Sequence, residues 1–184
     1  MVDATLAKRA GSMNRTTLSH FEVWGRSASL AAIGGVAIAV GLLVYLADRE
    51  PSRAALIPTV ALLTGSNVFG RLGGWLPSFV HTFAFSLFTA AALPERAAPR
   101  YGACVVWFAV NVAFEIGQHP QISVRLAEAL HGGLGVLPFS RSLANYFVLG
   151  TFDPGDIVAA LLGALAAGCV LLWMHPRRKE NRAT

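Results

Sequence analysis

Among its side chains of types that bind ligands or carry protons, this sequence places five where they could share a site: His81, Glu115, Gln118, Asp153 and Asp156. All five fall in or at the edges of long apolar runs. Glu115 and Gln118 end the stretch YGACVVWFAVNVAFEIGQ, and with Asn111 they are spaced i, i+4, i+7, which puts them on one stripe of a helix. A carboxylate facing hydrocarbon is strongly unfavourable, so intramembrane acids face a bundle interior or a water-filled cavity and mark a functional site. Glu115 is therefore expected to be the central acceptor or proton carrier of a polar pocket, with His81 as its titratable partner. Arg71, Arg125 and Arg141 could supply the positive charge that buried acids need, and Arg71 or Arg141 could contact a phosphate.

Simpler roles compete for several of these residues. The run D-P-G-D at 153–156 reads as an acidic N-cap, a proline at the first helical position and an acid at the third, an ordinary helix start. Gln118 and His119 can be interfacial residues at a span's end. Ser78, Thr82, Ser86 and Thr89 form a second stripe, better explained by bonds back to their own helix carbonyls than by a cavity lining. Glu115 and His119 are four apart, but Pro120 ends the helix there and no zinc signature is present, so no metal or cofactor is expected. Ser140-Arg141 is similar to the SR-x5-H element of membrane lipid phosphatases, but position 147 is Phe where the histidine belongs. A rhomboid-type G-x-S-G nucleophile is also missing, and no reaction is assigned.

The elements that must hold these residues follow from composition. With 54% hydrophobic and 14% charged residues, the chain falls in the integral membrane class. Uncharged windows near the roughly 20 residues that cross a bilayer occur at 27–47, 77–94, 101–118 and 156–174. Residues 54–70, interrupted by Pro58, suit a short re-entrant or interfacial segment, and the glycine-broken stretch 124–149 suits the membrane surface. The fold expected is all-α, an integral membrane bundle of four transmembrane helices within 27–175, flanked by an N-terminal segment 1–26 and a basic tail 176–184. Segment 1–26 is too long and too weakly charged for a signal peptide, so the first span is expected to stay attached.

Ten of the fifteen Lys and Arg residues lie before span one, between spans two and three, or after span four, which places both termini in the cytoplasm. The net charge of +5 follows from that bias and points to anionic headgroups, not nucleic acid. Cys104 and Cys169 read as packing residues near the cytoplasmic side, with no disulfide expected. The small residues Ala159, Gly163, Ala166 and Ala167 on span four, and Gly34 and Gly41 on span one, invite close packing within the bundle or with a membrane partner.

The order of these motifs, with His81 opening a span, E-x-x-Q at Glu115 and Gln118, then a long loop and D-x-x-D at Asp153 and Asp156 leading into GALAAG, resembles the VanZ-like family of small bacterial membrane proteins. The likeness covers roughly residues 70 to 172. It departs at VLGTFD, where the family carries an arginine, and at Ala160, where the family carries asparagine. The resemblance implies a bacterial inner-membrane protein with a cell-envelope role, one relative being linked to glycopeptide-antibiotic resistance. The function expected is recognition of an envelope lipid or its headgroup on the periplasmic side; the alternative is an accessory subunit of a larger membrane complex, its polar cluster purely structural.

Overall fold

The computed structural model describes residues 23–44, 70–133 and 140–175. The predicted segment 54–70 lies outside them except for Gly70, as do the basic tail and the first 22 residues. The described residues are helical with no strand, in six helices: α1 (Val23–Val44), α2 (Gly70–Ala92), α3 (Ala97–Gly117), α4 (Pro120–Gly133), α5 (Ser140–Leu149) and α6 (Pro154–Trp173). Three of them, α1, α3 and α6, are long and apolar enough to cross a membrane. The predicted second span is a helix too, and at 23 residues it is long enough, but Ser78, His81, Thr82, Ser86 and Thr89 dilute its hydropathy.

Helix α2 begins seven residues before the expected position 77, with Pro77 inside it. A proline there forgoes one intrahelical hydrogen bond, and membrane helices tolerate this where neighbouring helices cover the freed carbonyl. The stretch read as a surface segment forms the pair α4 and α5, which close on each other through Ala127, Leu130, Ala144 and Phe147.

The centre of the bundle is α2. It packs most extensively along α6 and also along α3, while α3 packs on α6. Leu30 of α1, Leu87 and Ala90 of α2, Cys104 of α3 and Ala167 and Leu171 of α6 form one core. These contacts make α1 antiparallel to α2, α2 antiparallel to α3, and α6 parallel to α2. The start of α1 and the end of α6 consequently lie at the same end of the bundle.

In hydrocarbon, helices gain little from burying apolar area against one another, so close packing at small residues and interhelical hydrogen bonds must hold them. The small residues of α6 and α1 do this within the bundle. Gly163 lies so close to α2 that a Cβ there would overlap the Phe79 carbonyl, while Gly34 faces Phe88 and Gly41 faces Val80. Ala159 and Ala167 are buried as well.

Gly163→Leu is expected to lower thermal stability in detergent, by roughly 1–3 kcal/mol or more as overpacking against a backbone group. Gly35→Ala, where a Cβ meets nothing within 4 Å, should not. Equal melting temperatures for the two variants would contradict the α2–α6 contact.

Candidate functional site

The first turn of α6 gathers three acids. Asp153 is its N-cap, in extended backbone, and its Oδ1 accepts from the Gly155 N–H at 2.8 Å, with Pro154 opening the helix. This is the helix start that D-P-G-D predicts. The other carboxylate oxygen of Asp153 accepts from the Trp75 indole N–H of α2 at 2.9 Å. The backbone N–H of Asp153 donates to Oε1 of Glu115 at 2.5 Å, so the acid ending α3 binds the residue that opens α6. Asp156 reaches across to α2, where its Oδ1 accepts from the Ser78 hydroxyl at 2.7 Å.

Glu115 is only 7% exposed, and Asp153 and Asp156 are near enough to act on its charge. Carboxylates this close repel one another, and two features offset the repulsion. The partial positive charge at the start of α6 favours anions, and each acid accepts at least one internal hydrogen bond. Each carboxylate also has two oxygens. Among the described residues, Oε2 of Glu115 and Oδ2 of Asp156 take no protein donor, and neither acid has a cation within ion-pair distance.

Gln118 caps the end of α3 and is 9% exposed. Its amide nitrogen donates to the Tyr146 hydroxyl of α5 at 2.8 Å, and its side chain lies against Gly150, where a Cβ would collide with it. Phe147 seats on Gly117 in the same way, which fixes α5 against the end of α3. Burial raises the Tyr146 phenol above its ordinary pKa, and the negative charge of Glu115 raises it further.

The remaining expected residues fall elsewhere. His81 does not join the acids: it is exposed on α2, its ring stacked on Phe85 at a centroid distance of 5.8 Å. The side of α2 that meets α6 carries Trp75 and Ser78, and the helical rotation of 100° per residue turns His81 to another flank. Arg141 is exposed at the start of α5 and Arg125 is exposed on α4. Arg71 lies in the first turn of α2; its side chain is outside the described part.

Asn111 bonds back to the Trp107 carbonyl instead of reaching Glu115. Thr82 and Ser86 bond back to Ser78 and Thr82, as expected of that stripe, whereas Ser78 serves Asp156 and Thr89 accepts from Trp107. His119 stands beyond the end of α3 against Phe152. Among the described residues no group of three His, Cys, Asp or Glu could hold a metal ion, and both cysteines are free. Trp75 and Tyr146 are the site residues that sequence reasoning missed; an indole N–H near a span's end, seventy-eight residues from its partner acid, gives no local signal.

Trp75 has a second role. With Gly155, which is close enough that a Cβ would overlap the indole, it forms part of the wall of a cleft of ≈ 600 Å3 that also involves Phe79, Val158 and Leu162. The cleft is almost wholly apolar and lies beside the end of α1 at Val44. Compared with protein-family models, curated proteins and solved structures, the chain matches none.

Two outcomes follow from this geometry. Glu115→Ala removes the acceptor of the Asp153 N–H and should cost roughly 1–3 kcal/mol of unfolding free energy, while Glu115→Gln keeps an acceptor oxygen and should lose clearly less, as read by thermal unfolding. Glu115→Gln should also bring the phenolate titration of Tyr146 down towards the normal tyrosine range, measured as the absorbance difference between proteins with and without Tyr146→Phe. An unmoved titration would place Glu115 away from Tyr146.

Proposed function

We propose that this chain is a four-span, VanZ-like inner-membrane protein in which α2 crosses with α1, α3 and α6, both termini cytoplasmic and the acid cluster at the periplasmic side. We read that cluster as the recognition site for the headgroup of an envelope lipid. One observation carries this: buried Glu115 and its neighbour Asp156 each keep one carboxylate oxygen without a protein donor among the described residues. Acceptors held at the end of a membrane bundle favour a ligand that brings donors, a hydroxyl- or amine-bearing headgroup. The neighbouring apolar cleft, walled by the same Trp75 and Gly155 that bond to Asp153, suits an acyl chain of that lipid. Glu115 is then the central acceptor, Asp156 and Gln118 flank it, and Asp153 orients them. His81 has no part in this reading.

A second reading is favoured by a different observation, that every acid already accepts an internal hydrogen bond. On that reading the cluster is a structural latch in an accessory subunit of a larger membrane complex, and no ligand is involved.

Glu115→Gln separates the two, because it removes the charge but keeps the acceptor that the latch uses. Mass spectrometry of lipids retained after gentle purification should show a hydroxyl- or amine-bearing lipid on the wild type. Its retention should fall about tenfold or more in Glu115→Gln, the loss of a charged hydrogen bond, and fall likewise in Leu162→Trp, which fills the cleft. Retention unchanged in both variants would overturn the lipid reading and favour the latch.

A further inference from the structure

The opposite end of the bundle, where α1 and α3 begin and α6 ends, carries the reverse charge. In the link between α2 and α3, Glu95 accepts an ion pair from Arg26 of α1 at 3.0 Å, and Arg100 of α3 stands 4.0 Å from the same carboxylate oxygen. Arg96 is exposed beside them. Two guanidiniums therefore meet one carboxylate, and a third, that of Arg96, lines the same pocket. The Arg100 Nε is buried with no hydrogen-bond partner among the described residues, although another of its nitrogens donates to the Leu93 carbonyl at 3.4 Å. The N-cap of α3 is Arg96, which has no acceptor atom and makes no capping bond, so its side chain leaves the N–H groups of Ala97 and Ala98 uncapped; Pro99 has none, and the Arg100 N–H bonds back to the Arg96 carbonyl.

Glu95, Arg96, Arg100, Tyr101 and His175 surround a small pocket of ≈ 20 Å3 at this point. That is room for about one water-sized group, such as a single phosphate oxygen. A helix start with neighbouring arginines is suited to phosphate.

Tyr101 also belongs to a second feature. Directly below it an apolar groove of ≈ 460 Å3 runs between α3 and α6, bordered by Val105 and Phe108 on one side and Leu165, Gly168 and Leu172 on the other. It is shallow and open to the side, and Val105, Leu165 and Leu172 are exposed along it. A basic pocket at a helix end and an apolar groove leading from it share a wall residue, which is the shape of one amphiphile with an anionic head.

We infer that this end of the bundle binds an anionic phospholipid, its phosphate among Arg96, Arg100 and the start of α3, and one acyl chain in the α3–α6 groove. Basic pockets between transmembrane helices take anionic headgroups in this way. The site is separate from the acid cluster, roughly 30 Å away along α3 at 1.5 Å per residue, and does not depend on the reading given to that cluster.

The test uses the full chain purified in detergent, with phosphatidylglycerol and phosphatidylcholine of matched acyl chains as probes and binding counted by native mass spectrometry. Phosphatidylglycerol should bind in preference to phosphatidylcholine. Arg96→Gln should reduce that preference about fivefold, the contribution of one arginine near an anionic surface, with phosphatidylcholine, whose choline cation offsets its phosphate, losing less. Gly168→Leu should lower binding of both lipids, since a Cβ at Gly168 meets nothing within 4 Å of the protein and its side chain would occupy the groove. Neither change disturbs packing, which thermal unfolding without lipid checks; exposed His175→Gln stands in for Arg96→Gln if that fails to fold, and Val105→Trp, exposed on the other side of the groove, for Gly168→Leu. Equal binding of the two lipids by the wild type, an unaltered preference in Arg96→Gln, or unaltered binding in Gly168→Leu would overturn the site. Competition by inorganic phosphate as complete as by phosphatidylglycerol would also overturn it as a lipid site, leaving a simple anion pocket.

Discussion

The hydrogen bond from the Asp153 backbone to the Glu115 carboxylate ties the last turn of α3 to the first of α6. Much of that end of the bundle depends on it. Glu115 can be buried because the start of α6 gives its charge a donor and a favourable dipole. Asp153 can cap α6 while its other oxygen holds Trp75, and Asp156 can turn to Ser78 because the capping position is already filled. Three acids coexist there because each is assigned a different donor, from the backbone, the indole and a hydroxyl.

These polar bonds act together with close packing. Gly163 brings the backbones of α6 and α2 within contact, and that approach fixes the rotation of α2 that turns Trp75 and Ser78 towards α6. Gly155 admits the Trp75 indole and Gly150 admits Gln118, so small residues line the places where polar partners meet. Where lipid gives helices no hydrophobic drive to associate, such pairing of small residues with interhelical hydrogen bonds is the available source of specificity. The two ends of the bundle differ accordingly: acids and their donors gather where α6 begins, and arginines around one glutamate gather where α3 begins. In both places a helix N-terminus organises the charge. At one it faces the chain's own carboxylates, and at the other its N-cap side chain can accept nothing.

Composition and the lengths of apolar runs determined the all-helical class, three helices able to cross a membrane, and the stretches in which they lie. The D-P-G-D motif determined a helix start, because capping is a local interaction among consecutive residues. The burial of Glu115 was legible for a thermodynamic reason, since an acid inside an apolar run has few tolerable places to go. Its position at the opening of a span brought His81 into the expected cluster, and no such signal brought in Trp75 or Tyr146. Those partners were decided by the tertiary structure, because the direction a helix presents to its neighbour is set by where small residues let backbones approach, and that information is spread over residues far apart in the chain.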